Sequence, residues 1–319
     1  MLNQKIINNK EVVDIRNIIE KLINNITKAV IGKEDVIRMV IVALISGGHV
    51  LLEDVPGVGK TLLAKSLAKS INASFKRIQF TSDLLPSDIT GTSIYNQKNS
   101  EFEFVEGPIF SHIVLADEIN RGTPRTQSSL LEAMEELQVS VDGVTRTLLK
   151  PFFVIATQNP IESHGTFPLP DSQMDRFMVS LSIGYPNSED EAKMLSLHKK
   201  DSLIDNIETV ISIKDILDLN NLVHQVFASD EIYEYIVRIV SATRNHPEIM
   251  LGASPRAAVS LLNCAKGYAL ISNRNYIVPD DLKVIVPYVL SHRIMTYRSY
   301  SKSQITELID KILKTVSIT

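Results

Sequence analysis

The 319-residue chain has no tryptophan, a single cysteine and an aromatic content of only 6%. One cysteine cannot close an intrachain disulfide and leaves no paired-cysteine zinc site, which agrees with a reducing compartment. Cys264 lies in an apolar helical run and is expected to be core rather than nucleophile. With Phe75, Phe80, Phe152 and Phe153 assigned to core strands, no basic-aromatic surface remains on which single-stranded nucleic acid could stack. A surplus of one charge is lacking as well. The 33 Lys and Arg stand against 37 Asp and Glu, a formal −4, so no global field draws the chain to nucleic acid or an anionic membrane. The longest strongly apolar run, 39–45, falls far short of the roughly 20 residues that span a bilayer. Residues 1–10 lack the basic-then-apolar order of a secretory signal, and a cytoplasmic location is expected. The seven histidines, at 49, 112, 164, 198, 224, 246 and 292, show no H-E-x-x-H spacing, so no protein zinc site is expected.

What the chain does have is pattern. Val12, Ile15, Ile18, Ile19, Leu22, Ile23 and Ile26 fall at spacings of three and four, the stripe of an amphipathic helix over 11–29. A second helix is predicted over 36–46, ended by Gly47-Gly48. Short apolar runs at 49–52, 75–80, 112–116, 151–157 and 177–183 then alternate with helical stretches at 61–70 and 126–137. Such alternation indicates an α/β fold with a mainly parallel five-stranded sheet. Two segments interrupt it, 91–107 and 139–149, and the second carries Asp142-Gly143 between β-prone residues, the signature of a type I′ hairpin turn. After Gly184-Tyr185-Pro186 the strands are expected to stop. Helices are predicted at 188–199, 213–226, 230–244, from Ser254-Pro255 to about 271, from Val278-Pro279 onward with Pro287 kinking or dividing it, and at 304–316. The expected organisation is a helical segment over 1–29, an α/β core over 30–186, a helical linker over 187–229 and an all-α domain over 230–319.

The residues with the most chemical content are Val55-Pro56-Gly57-Val58-Gly59-Lys60-Thr61, directly after one strand and before a helix. Small glycines let successive backbone N–H groups turn inward around a β-phosphate, and the helix N-terminus adds partial positive charge. Lys60 would reach β/γ oxygens and the Thr61 hydroxyl could ligate Mg²⁺. The strict pattern G-x-x-x-x-G-K-[ST] has glycine where this chain has Asp54, and a ligand-free glycine turn is the competing reading. Next, 112–116 ends in Asp117-Glu118, where a P-loop enzyme needs a carboxylate near its metal. Asp117 is assigned to the metal's shell and Glu118 to polarising the attacking water; a solvated loop start or helix cap is the alternative. A third strand ends at Gln158-Asn159-Pro160. Asn159 could orient that water, or simply begin a turn.

Together these residues resemble an AAA+ ATPase, and more closely its MoxR family, over about 30–293. Glu53-Asp54-Val55-Pro56-Gly57-Val58-Gly59-Lys60-Thr61 looks like that family's Walker A, Leu115-Ala116-Asp117-Glu118-Ile119-Asn120-Arg121 its Walker B, and Ala156-Thr157-Gln158-Asn159-Pro160 its sensor 1. The resemblance implies ATP and Mg²⁺ as cofactors, with Ile31, Val55, Pro56, Gly57, Val58, Gly59, Lys60, Thr61 and Leu62 around the nucleotide, and Thr61 and Asp117 on the metal. It implies Arg176, in Leu169-Pro170-Asp171-Ser172-Gln173-Met174-Asp175-Arg176-Phe177, as an arginine finger, with Arg121 and Arg125 as rivals and pairing to Asp171 or Asp175 as the bland alternative. Arg256, in Gly252-Ala253-Ser254-Pro255-Arg256, resembles sensor 2 at the start of a lid helix and would reach a γ-phosphate. The interruptions at 91–107 and 139–149 would be the helix-2 insert and pre-sensor-1 hairpin. The implied activity is chaperone-like remodelling or maturation of protein complexes by a homo-oligomeric ring, expected as a hexamer. A protein client is implied, and a von Willebrand A domain partner is possible. A nucleic-acid motor of a related clade, or a nucleotide-gated scaffold that barely hydrolyses ATP, are the alternatives.

Overall fold

In the computed structural model, which describes residues 9–159, 165–197 and 203–318, the alternating runs form one sheet. Pro160, His164, His198, Lys199 and the first eight residues, on which parts of the sequence reading fall, lie outside the described residues. The strands in chain order are β1 (Val50–Glu53), β2 (Phe75–Gln79), β3 (Gly91–Asn96), β4 (Glu101–Glu106), β5 (Ile113–Asp117), β6 (Gln138–Val141), β7 (Val144–Thr147), β8 (Phe153–Gln158) and β9 (Val179–Leu181). The five-stranded sheet has the order β2-β5-β8-β1-β9, and every pairing in it is parallel. Its central strands β5 and β8 are buried almost throughout because helices cover both faces. One expectation is corrected at the edge. β2 is not a buried strand: Lys76, Arg77 and Gln79 are exposed and only Ile78 is buried, since an edge strand needs one apolar anchor rather than a continuous run.

The helices are α1 (Asn9–Thr27), α2 (Glu34–Ile45), α3 (Lys60–Ser70), α4 (Pro86–Thr90), α5 (Pro124–Glu136), α6 (Asp171–Met174), α7 (Ser188–Leu197), α8 (Ile213–Gln225), α9 (Asp230–Arg244), α10 (Pro255–Ile271), α11 (Pro279–Leu290) and α12 (Lys302–Thr315). Ile15, Ile19, Leu22, Ile23 and Ile26 of α1 are buried, which stabilises that helix on the body by about 1.5–3 kcal/mol per side chain. Helix α2 closes as the glycines foretell. Gly47 adopts a φ of 71°, Gly47 N donates to Leu44 O and Gly48 N to Ala43 O at 2.9 Å, a Schellman closure. Ser254 caps α10 by accepting from Ala257 N, and Asp281 reaches back to Val278 N at the start of α11.

The interruptions are two hairpins, β3–β4 and β6–β7, the latter turning with positive φ at both Asp142 and Gly143. They touch each other: Ser93 Oγ donates to Asp142 and the Arg146 guanidinium lies 3.7 Å from the Phe104 ring centroid. The C-terminal region is helical as expected, with one strand pair added to it. Of the two outcomes expected at Pro287, division does not occur: helix α11 runs through it to Leu290. Strands β10 (Ile249–Leu251) and β11 (Met295–Thr296) pair antiparallel there, too short to leave a period-2 signal. Cys264 is fully buried, and burial pushes its thiol up to about 12, so it is an inert core residue.

Arg293 ties the helical region to the sheet. Its side chain is 1% exposed, and the guanidinium donates to the Asp175 carboxylate at 2.6 Å, to the carbonyls of Asp175, Phe177, Met178 and Val289, and to Ser260 Oγ.

Candidate active site

The turn after β1 is built on Gly57 and Gly59, with φ of 86° and 95°, a region in which side chains with a Cβ are strained. Gly59 precedes α3 without a side-chain cap, so the first N–H groups of that helix have no protein acceptor from a capping residue. That is a ready anion cradle. Lys60 curls over it and donates from Nζ to Asp54 O at 2.8 Å. Burial pulls the Lys60 ammonium below its ordinary pKa, opposed by Asp54, Asp117 and Glu118.

A cavity of about 400 Å³ opens over this turn, lined by Pro56, Gly57, Gly59, Lys60, Thr61 and Leu62 from the loop and α3, Asp117 and Glu118 from the end of β5, and Asn159 from the end of β8. The parallel order puts three strand ends side by side, which is why residues a hundred positions apart in sequence meet. A second cavity, of about 320 Å³, shares Gly57, Gly59 and Leu62 with the first and adds Ile31, Val58, Tyr185, Met194 and Leu195. Of the residues expected around a nucleotide, only Val55 lines neither cavity.

Two residues from β2 join the site without having been foreseen. Arg77 donates from Nε and Nη2 to Asp117 Oδ2 at 3.0 and 2.6 Å, and Gln79 Nε2 donates to Glu118 Oε2 at 2.8 Å. Both line the first cavity. The available signal was period two: Arg77 and Gln79 share a face of a strand whose neighbour ends in the two acids. Thr157 was also missed as a positioning residue. Its hydroxyl donates to Asp117 Oδ1 at 2.6 Å and accepts from Glu118 N at 2.8 Å, holding the acids in one register. Glu118 itself has a left-handed backbone, φ 54° and ψ 50°, strain of the kind found at functional sites.

The donor chemistry suits magnesium. Mg²⁺ is usually held by one or two protein oxygens together with substrate phosphates rather than by an all-protein cage. Thr61 and Asp117 offer a hydroxyl and a carboxylate on one cavity, while no group of three His, Cys, Asp or Glu able to hold a metal occurs among the described residues.

The arginines are placed differently. Arg121 pairs with Glu118 at 3.1 Å, within this site. Arg176 and Arg256 do not line the P-loop cavity; they meet at Glu135 of α5, at 3.2 and 2.5 Å, and Arg176 also donates to Leu131 O. Arg176 therefore pairs with neither Asp171 nor Asp175, the latter being taken by Arg293. Glu135 carried no sequence signal.

Residues 49–179 match the family model "ATPase family associated with various cellular activities (AAA)", and 241–314 the AAA lid domain. A crystal structure of a candidate ATPase from Cytophaga hutchinsonii superposes with a TM-score of 0.89 at 39% identity, covering 97% of each chain. The chain is 50% identical over 307 residues to the uncharacterized protein YeaC of Bacillus subtilis, covering 96% of each. It is 38% identical to chaperone MoxR1 of Mycobacterium tuberculosis, over 94% of this chain and 82% of that protein. The chain belongs to the MoxR family of AAA+ ATPases. For a MoxR-family chain the matched segments are informative in their position. The AAA match spans the cradle, both acids and Asn159, and the lid match spans Arg256.

Proposed function

We propose that this chain binds and hydrolyses Mg²⁺-ATP and works as a homo-oligomeric ring, expected as a hexamer, that remodels or matures protein complexes. The observation that carries the reading is the convergence of the glycine cradle, the Asp117-Glu118 pair and Asn159 on one cavity from three separate strand ends. The α3 N-terminus, the loop N–H groups and Lys60 hold the β- and γ-phosphates. Thr61 and Asp117 hold the metal, which when bound neutralises charge on the phosphate oxygens. Glu118 polarises the attacking water and Asn159 orients it. Arg77 and Gln79, donating to Asp117 and Glu118, hold the two carboxylates in place at the cavity.

Arg176 and Arg256, held together on Glu135 and outside their own cavity, are assigned to the γ-phosphate of a neighbouring subunit's nucleotide. A guanidinium supplied in this way contributes about 10³ to 10⁵ in rate, and it makes the catalytic site depend on assembly. The division into core, linker and lid near residues 186 and 229 belongs to the same proposal, as does a cytoplasmic setting. No helix among the described residues is long and apolar enough to cross a membrane. A protein-facing role is supported by the β3–β4 hairpin, which leaves Ile94, Tyr95, Phe102 and Val105 exposed. A von Willebrand A domain protein is the proposed partner class. Steady-state phosphate release, with sedimentation in the presence and absence of a slowly hydrolysed ATP analogue, tests the reading. Phosphate release and analogue-strengthened association are expected. Absence of release, or full activity in a concentration-independent monomer, contradicts it.

A further inference from the structure

Asp54 stands where the strict phosphate-loop pattern has glycine, and it is 5% exposed. A buried carboxylate needs a full set of donors, and this one finds all of them in a single short segment. Oδ1 accepts from Ser182 Oγ at 2.7 Å and from Gly184 N at 3.0 Å, and Oδ2 accepts from Ile183 N at 2.6 Å. Segment 182–184 opens the connection between β9 and α7. The backbone of Asp54 is committed elsewhere: its N–H donates to Gln158 O, beside Asn159, and its carbonyl accepts from Lys60 Nζ. One residue thus joins the phosphate loop, the end of β8 and the start of the connection to the helical region.

That connection forms one wall of the second cavity. Tyr185, Pro186, Glu191, Met194 and Leu195 face Val58 and Leu62 across it, and Lys33 Nζ donates to Tyr185 O at 2.8 Å from the opposite rim. Tyr185 and Leu195 are 75% and 68% exposed, large apolar surfaces beside an apolar slot that adjoins the anion cradle. Gly184 has a φ of 64°, a backbone that favours glycine at this turn. The Asp54 carboxylate takes three donors from the turn, alongside the burial of Ile183 and the Lys33 bond to Tyr185 O.

We propose that Asp54 is a positioning residue for nucleotide selectivity: by pinning residues 182–184 it sets the distance between the phosphate cradle and the wall that receives the purine base. This rests on the ATP-binding reading above. Its consequence is that affinity for the nucleoside part of ATP depends on the Asp54 carboxylate more than affinity for phosphate does. Contacts to phosphate come from the loop and α3, and Asp54's side chain acts on them only through its charge beside Lys60. Contacts to the base come from the wall and need that side chain.

Asp54→Gly restores the strict pattern and is the natural probe. Binding of Mg²⁺-ATP and of Mg²⁺ with inorganic tripolyphosphate is measured by calorimetry on the full chain. Asp54→Gly is expected to weaken ATP by about tenfold or more and tripolyphosphate by severalfold less, while Ser182→Ala leaves tripolyphosphate within about twofold. Asp54→Asn keeps one acceptor oxygen and should fall between the parent and Asp54→Gly. Ser182→Ala lies outside the phosphate loop and removes one donor, so it should shift ATP alone in the same direction, independently of how Asp54→Gly folds. Equal loss of both ligands across these variants, or no loss of ATP in any of them, overturns the inference and leaves the ATPase reading standing. A parent chain that binds neither ligand overturns both.

Discussion

Arg293→Met replaces a cation by a shorter unbranched apolar side chain at the most completely hydrogen-bonded polar position linking lid to sheet. Burial lowers the pKa of the Arg293 guanidinium and Asp175 raises it, the balance expected of a desolvated but paired cation. In the variant the Asp175 carboxylate, 16% exposed, keeps only the Ser254 hydroxyl at 2.8 Å. The carbonyls of Phe177 and Met178 lose this donor inside the molecule. Removing one partner of a buried pair costs about 3–5 kcal/mol, mostly the desolvation of what is left behind. Guanidinium unfolding monitored by far-ultraviolet dichroism should show that loss as a lower midpoint. The double variant Arg293→Met with Asp175→Asn should recover part of it, because the stranded charge is gone. A loss below about 1 kcal/mol would refute the reasoning, since that is the scale of a solvated surface pair. Because Asp175 immediately precedes Arg176, the same variant should also displace the arginine assigned to the neighbouring site.

Lys60→Ala should weaken Mg²⁺-ATP binding itself, measured by calorimetry, because Lys60 contacts phosphates already present in the ground state; unchanged affinity would remove it from the cradle. His49 is fully buried, with Nε2–H donating to Met134 O and Nδ1 accepting from Val154 N, and burial pulls it down to about 4. The unfolded chain therefore takes up a proton near 6.5 that the folded chain refuses, so stability is intact above that pH and falls toward pH 4, by about 3 kcal/mol in all. His292, also lowered by burial, adds in the same direction; urea unfolding at pH 7 and about 4.5 checks this, and His49→Gln should flatten the slope. Arg176→Ala and Lys60→Ala subunits should each be inactive alone yet regain hydrolysis when mixed in shown hetero-assemblies, and normal activity of Arg176→Ala by itself would transfer the role to Arg121 or Arg125.

How much of this was legible in the chain follows how local each determinant is. The glycine cradle, the Ser254 cap, the Gly47-Gly48 closure and the Asp142-Gly143 turn are decided within a few residues, and their backbone angles follow from residue type alone. The stripe of α1 and the runs of β5 and β8 are periodic over longer stretches and were equally readable. What stayed hidden depends on which strand lies beside which. Arg77 reaches Asp117 across 40 positions and Thr157 reaches it across another 40, and neither residue type announces such a partner. The same holds for Glu135, whose two arginines come from a loop and from the lid. The role of Asp54 was hidden for a further reason. A motif rule marks it only as a departure, and its donors lie some 130 residues away. The β10–β11 pair was missed because strands of three and two residues carry no period at all.

The central claim is that Glu118 activates the water that attacks ATP held by the Gly57–Lys60 cradle. The direct measurement is ATP affinity and steady-state phosphate release for the parent and for Glu118→Gln, side by side at saturating Mg²⁺-ATP. Glutamine keeps the size of the side chain and an acceptor for Gln79, but it cannot take a proton. Unchanged ATP affinity with turnover lowered by about 10²-fold or more is predicted, the range attributed to a positioned general base. Turnover at the parent rate in Glu118→Gln would contradict the account.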